Sequence, residues 1–225
     1  MDVQLDLRLI EQQLRHLAEE RFAEGDAEGF ASFGYSGNLA LALVADNRPA
    51  LQMRGIYEPA LLAAFTGTKF NNHRWTEQSI DCLFRQADRD RLRAAGDELP
   101  GPGPFRLYRG VAGVGRARRI RGYSWTDSLD VACWFAARHD LKSPAVLTAE
   151  VSREEVLAFH AGRDEREFIW RPQLTTRVKF EGDEISERAG RYGEDLLARE
   201  KAKRAELLAR NKTSSKVAEG SLGAD

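Results

Sequence analysis

Between Pro100 and Pro104 proline alternates with glycine, PGPGP. No regular element runs through such a stretch, because each proline lacks an N–H and fixes φ while each glycine adds entropy that order must overcome. The break separates two sequence regimes. Ahead of it, apolar residues recur at helical spacing; beyond it lie short runs rich in β-branched and aromatic residues. The expectation is an α+β protein in three parts: a helical part over residues 1–97, a strand-rich core over 98–185, and a charged helix with a polar tail over 186–225.

In the first part, Val3, Leu7, Ile10, Leu14 and Leu17 trace one helical face over residues 3–24, with Gly25 as the stop. A buried helix is expected from Asn38, a break at Pro49 and Gly55, a short helix from near Glu58, and a polar loop TGTKFNNHRW. Residues 76–95 read as one helix with Thr76 as N-cap and Gly96 just past its end. In the second part, FRLYRGVA, GYSW, PAVLTAEV, REFIW and TTRVKFE are strand candidates. SLDVACWFAARHD reads as a helix, and SREEVLAF as a short helix capped by Ser152. The tail from Lys212 is expected to be disordered.

At 225 residues with 42% hydrophobic and 31% charged residues, the chain can bury a full core. It has no apolar run of membrane-spanning length, and its acidic, amphipathic N-terminus lacks the pattern of a secretory signal, so a cytoplasmic protein without a membrane partner is expected. Cys82 and Cys133 sit in apolar helical contexts and read as buried free thiols; the four histidines lack metal-ligand spacing, and no metal is expected. Net charge is −1, yet residues 101–180 carry 14 Lys and Arg against 9 Asp and Glu. Arg116, Arg118, Arg119 and Arg121 cluster there and suit either a solvated face or a polyanionic ligand.

Three signals in this region carry chemistry. Arg109 stands in a strand run beside Gly110: it is either a solvent-facing edge arginine or a guanidinium fork for phosphate or carboxylate, with Gly110 letting a ligand approach the backbone. Ser124 and Thr126 flank Trp125, so in a strand the two hydroxyls share a face. Thr126, Asp127 and Ser128 can each cap the next helix, with Thr126 placed first for that role; Ser124 lies too early for capping and is the better site hydroxyl. Glu165 and Glu167 open a strand, where alternation would turn both carboxylates to one side; they are either a solvated loop end or a carboxylate pair able to handle a glycosidic bond.

An arginine on an early strand, a hydroxyl-rich strand leading into a helix, and a Glu-x-Glu opening a late strand occur here in that order: Arg109, Ser124-Trp125-Thr126, Glu165-Arg166-Glu167. The set resembles the mono-ADP-ribosyltransferases of the arginine–serine–glutamate, cholera-toxin-like class over residues 105–182. The resemblance implies two small, mainly antiparallel sheets with NAD, the substrate, in a cleft between them. It implies Arg109 on the phosphates and ribose side of NAD, Ser124 bracing the site near the nicotinamide, with Gly110, Trp125 and Thr126 in the NAD-binding set. Glu167 would be the catalytic glutamate on the nicotinamide ribose 2′-hydroxyl, and Glu165 would place the acceptor.

Departures are Trp and Thr at the second and third positions of the serine step, and a step of only 15 positions from Arg109 to Ser124, an interval filled by the arginine-rich loop. Arg118 and Arg119 are candidates for the NAD pyrophosphate or an anionic acceptor. The resemblance implies a toxin or effector that modifies a macromolecule, protein ahead of RNA or DNA, with an antitoxin or immunity protein as a possible partner. NAD glycohydrolase and a catalytically silent partner-binding module are the competing readings.

Overall fold

A computed structural model describes residues 4–67, 75–115, 121–162, 165–172, 176–178 and 182–220. The helical part comprises α1 (Arg15–Glu24), α2 (Ala27–Ser32), α3 (Ala40–Asp46), α4 (Arg48–Arg54), α5 (Tyr57–Gly67), α6 (Glu77–Arg85) and α7 (Arg89–Ala94). Then follow β1 (Phe105–Val111), β2 (Ser124–Thr126), α8 (Leu129–Ala137), β3 (Ala145–Val151), β4 (Ala158–His160), β5 (Glu167–Ile169), β6 (Thr176–Val178) and α9 (Gly182–Gly220). The protein is mixed helix and sheet, as the two regimes imply. No helix among the described residues is long and apolar enough to cross a membrane.

Local chemistry explains where the elements begin and end. Gly25 closes α1 at φ 80°, and Asp26, Thr76 and Asp88 cap the helices that follow them by accepting from the N–H of Gly29, Ser79 and Arg91. The expected helix over 76–95 is two, because the N–H of Asp88 is taken by Glu58 Oε1 at 3.0 Å and its own carboxylate starts α7. The helix expected from residue 3 starts only at Arg15. Ahead of it the buried Asn47 side chain accepts from the Asp6 N–H at 2.6 Å and donates to the Asp6 carbonyl at 2.8 Å, holding a non-helical segment that still delivers Leu7 and Ile10 to the core.

SREEVLAF is not a helix. The Arg93 guanidinium takes the carbonyls of Arg153, Glu154 and Val156, at 3.1, 2.9 and 2.6 Å, and a helix would need such carbonyls internally. The Leu157 N–H then donates to Ile169 at 2.8 Å and leads into β4. At the C-terminus α9 continues to Gly220, through most of the tail expected to be disordered. Cys133 is buried, its thiol pushed up to about 11 chiefly by burial, whereas Cys82 is exposed on α6, contrary to expectation.

Two packing units can be distinguished. The first holds Met1–Tyr108, Arg119–Asp127 and Thr148–Thr176; the second holds Arg109–Arg118, Ser128–Leu147 and Arg177–Asp225. Packing thus divides the chain differently from the linear order of helical part and strand-rich core. The described strands form one sheet, in the order β4-β5-β2-β1-β3-β6, and not two. The physical reason is that β2 pairs with both β1 and β5, which makes the ladder continuous. In the first unit the helices and the sheet share a core: Phe30, Leu41, Leu61, Ile80 and Phe84 cluster with Tyr123, Ala158 and Ile169. In the second, α8 packs on α9, with Trp134 against Tyr192 and Arg188 bonded to Asp130 at 2.8 Å.

Candidate active site

The register of three short antiparallel strands builds the site. Ser124 pairs with Ile169, Trp125 with Phe168 and Thr126 with Glu167; across β5, Ala158 pairs with Ile169, Phe159 with Phe168 and His160 with Glu167. Tyr108 of β1 pairs with Thr126. Directly opposed residues share a face, so His160, Glu167, Thr126 and Tyr108 form one row across four strands. The neighbouring row on that face is Ala158, Ile169 and Ser124, whose first two members join the helical core. Phe159, Phe168 and Trp125 take the other face.

Trp125 is therefore a packing residue. It is 2% exposed, crosses Trp170 edge-on at 5.0 Å, and donates its indole N–H to the Gly122 carbonyl at 2.9 Å. A Cβ at Gly110 would stand 2.0 Å from the Ala132 carbonyl oxygen and 2.6 Å from the Ala136 nitrogen, so the missing side chain admits the backbone of α8. Arg109, half-buried, precedes it on β1 in the second unit.

Thr126 does not cap α8; Ser128 does, accepting from the Val131 N–H at 3.4 Å. The Thr126 hydroxyl, in a side chain only 5% exposed, donates instead to the Glu165 carbonyl at 2.9 Å. Ser124 stays on the site face, half-buried and clear of capping, as its position implies.

Glu165 and Glu167 are both half-buried, but strand alternation does not relate them. β5 begins at Glu167, and Arg166 between them has φ 46°, in the left-handed region. Glu165 belongs to a turn in which its N–H reaches the Gly162 carbonyl at 3.3 Å. The turn is tied back to the end of β2: Arg166 Nε donates to Asp127 Oδ1 at 2.8 Å and Oδ2 at 3.0 Å, and a terminal nitrogen of the same guanidinium reaches Oδ2. That bond to Asp127 is also what raises the Arg166 pKa above its ordinary value.

The sheet thus brings together Ser124, Thr126, Glu165 and Glu167. It adds residues the sequence reading did not select. His160 stands across from Glu167, with Asp97 Oδ2 3.6 Å from its Nδ1. Asp97 is itself anchored to the end of β4, accepting from the Ala161 N–H at 2.7 Å and donating its own N–H to Phe159 at 2.7 Å. His160 was hidden because a helix was expected just before it, which removes any reason to pair it with Glu167. Arg116, Arg118 and Arg119 lie outside the described residues; Arg121, the last of that cluster, donates its N–H to Glu77 at 2.9 Å.

A carboxylate fixed on a sheet beside hydroxyls, with a second one on an adjoining pinned turn, can stabilise developing positive charge and steer a nucleophile toward it. Comparison of the chain with protein-family models, with curated proteins and with solved structures finds no match.

Proposed function

We propose that this chain transfers ADP-ribose from NAD to a macromolecular acceptor and releases nicotinamide, as a toxin or effector enzyme with an ADP-ribosyltransferase-like core. The observation that supports this reading is the joining of its two motifs: Thr126 lies opposite Glu167, and its hydroxyl holds the carbonyl of Glu165. The serine-x-threonine strand and the Glu-x-Glu turn thereby form one piece of structure within the first unit.

In the proposed reaction the bond between the ribose C1′ and the nicotinamide nitrogen breaks, and its electron pair leaves with nicotinamide. Glu167, accepting from the ribose 2′-hydroxyl, stabilises the oxocarbenium character left on C1′. The acceptor's nitrogen or oxygen forms the new bond to C1′, and its proton passes to the Glu165 carboxylate or to water. Ser124 braces the nicotinamide end, and Arg109 keeps the phosphate-binding role that the sequence resemblance implies. Protein stands ahead of nucleic acid as acceptor.

The test is labelled NAD with a cell lysate, followed by protease or nuclease on separate aliquots. Label lost to protease alone identifies an amino-acid acceptor, and label lost to nuclease alone a nucleic acid. Glu167→Gln is expected to lower nicotinamide release at least ~100-fold, the scale of a lost charge-stabilising or acid–base group, with little change in KM for NAD. Undiminished turnover in that variant would overturn the proposal. Free nicotinamide without transferred label points to a glycohydrolase, and neither product to a partner-binding module.

A further inference from the structure

Arg166 is the strained point of the candidate site. A non-glycine residue at φ 46° carries a backbone penalty and persists only where its surroundings impose it. Here the surroundings are two consecutive residues at the end of β2. Thr126 holds the carbonyl of Glu165, and Asp127 takes the Arg166 guanidinium in a fork. A fork fixes the plane of the guanidinium as well as its distance, which a single ion pair does not. Nothing in the sheet requires this restraint, since all three residues of β5 are already paired to β2 and to β4. The restraint acts on the turn alone, the segment that sets Glu165 relative to Glu167.

We infer that Asp127 and Arg166 are a positioning pair that decides whether ADP-ribose reaches the acceptor or water, an inference that rests on the function proposed above. Glu167 is held by the sheet, so cleavage of NAD survives loss of the fork. Glu165 stands outside the strand, on the turn that Thr126 and the fork pin, so capture by the acceptor does not.

The experiment measures two rates in each variant: nicotinamide release without acceptor, and label transferred to lysate macromolecules. Asp127→Asn and Arg166→Gly are expected to lower transfer roughly tenfold, the scale of one lost charge-assisted hydrogen bond. Nicotinamide release and its KM for NAD should stay within about twofold. Arg166→Gly keeps the turn available, because glycine adopts this φ without penalty. The exchanged pair, Asp127→Arg with Arg166→Asp, should recover part of the transfer, aspartate being tolerated in the left-handed region. Equal loss of both rates, or no loss of either, overturns the positioning role while leaving the proposed function in place. Wild-type protein that releases no nicotinamide overturns the function and this inference together.

Discussion

The two ends of β2 are each secured by an aspartate and arginine, and they do different things. Ahead of the strand, Asp81 of α6 accepts from the Tyr123 hydroxyl at 2.6 Å and the Arg85 Nε at 2.6 Å, and pairs with the Arg171 Nε at 2.6 Å. Tyr123 is buried, with its ring stacked on Phe84 at 4.6 Å. After the strand, Asp127 meets Arg166, on a half-exposed pair that ends in a left-handed residue. Three donors on one carboxylate beside a buried ring make a stability device, since each removed partner strands another polar group. One fork on an exposed, strained turn adds little to stability and much to local geometry. The difference teaches that in this protein the carboxylate–guanidinium pair is read by its burial and backbone, not by its chemistry.

The most direct way to break that comparison is Asp81→Ala. It leaves the Tyr123 hydroxyl without its acceptor and is expected to cost roughly 2–3 kcal/mol, of which the buried phenol is the larger part. For a chain of this size the unfolding midpoint should fall about 5–10 °C in a thermal melt, with nicotinamide release per folded molecule unchanged. Burial pushes the Asp81 carboxyl up, but the bonds from Tyr123 and Arg85 and the charge of Arg171 outweigh it, and the pKa is lowered overall. A depressed folded pKa gives stability that is present above the unfolded value of about 4 and lost as pH falls through the folded one. The acid limb of the wild-type stability profile should therefore be shallower in Asp81→Ala. A melt unchanged by this substitution would make the two ends of β2 alike.

How far these two regions could be read from the chain follows from what fixes each. The regimes on either side of PGPGP, the caps at Thr76 and Gly25, and the strands FRLYRGV, SWT and EFI are local matters of propensity and capping, and the structure has them. SREEVLAF carried the right local signal, a serine followed three residues later by a glutamate, and the Ser152 N–H does meet Glu155 at 3.0 Å. Tertiary bonds from Arg93 overrode the rest of the helix. Ser124, Thr126 and Glu167 were visible because they lie on strands with regular alternation. His160 and the fork at Arg166 were not, since one depends on cross-strand register and the other on a backbone angle, and neither leaves a periodic trace in sequence. Gly110 was visible as a position needing no side chain, but only the helix packed against it shows why.

Tyr123→Phe sharpens the comparison from the other partner. Asp81 keeps its two arginines, so the cost should be smaller, about 1 kcal/mol at neutral pH by chemical denaturation. Burial first, and then the bond to Asp81, push the Tyr123 phenol well above its ordinary range, while burial pushes Tyr57 up to about 12. A raised folded pKa means that the neutral phenol is favoured in the folded protein. Its contribution is complete below the unfolded value of about 10 and is lost as pH rises through the folded one. Wild-type protein should weaken above about pH 10, and Tyr123→Phe should weaken less steeply, keeping the part due to Tyr57. An identical alkaline limb in both proteins would remove Tyr123 from the account.

The smallest effects are expected at Arg166, and there the sign carries the argument. Arg166→Ala keeps the left-handed penalty and loses the fork; Arg166→Gly loses the fork and the penalty together. The glycine variant should match wild type within about 0.5 kcal/mol, and the alanine variant should be less stable than it by about 1 kcal/mol. The difference between the two, taken from paired denaturation curves, measures the strain without reference to catalysis. If the two curves coincide, the turn does not need its left-handed residue and the fork has nothing to hold in place. If they separate while transfer is equally weak in both, the strain belongs to the turn and the positioning to the fork, which is the division of labour that the end of β2 implies.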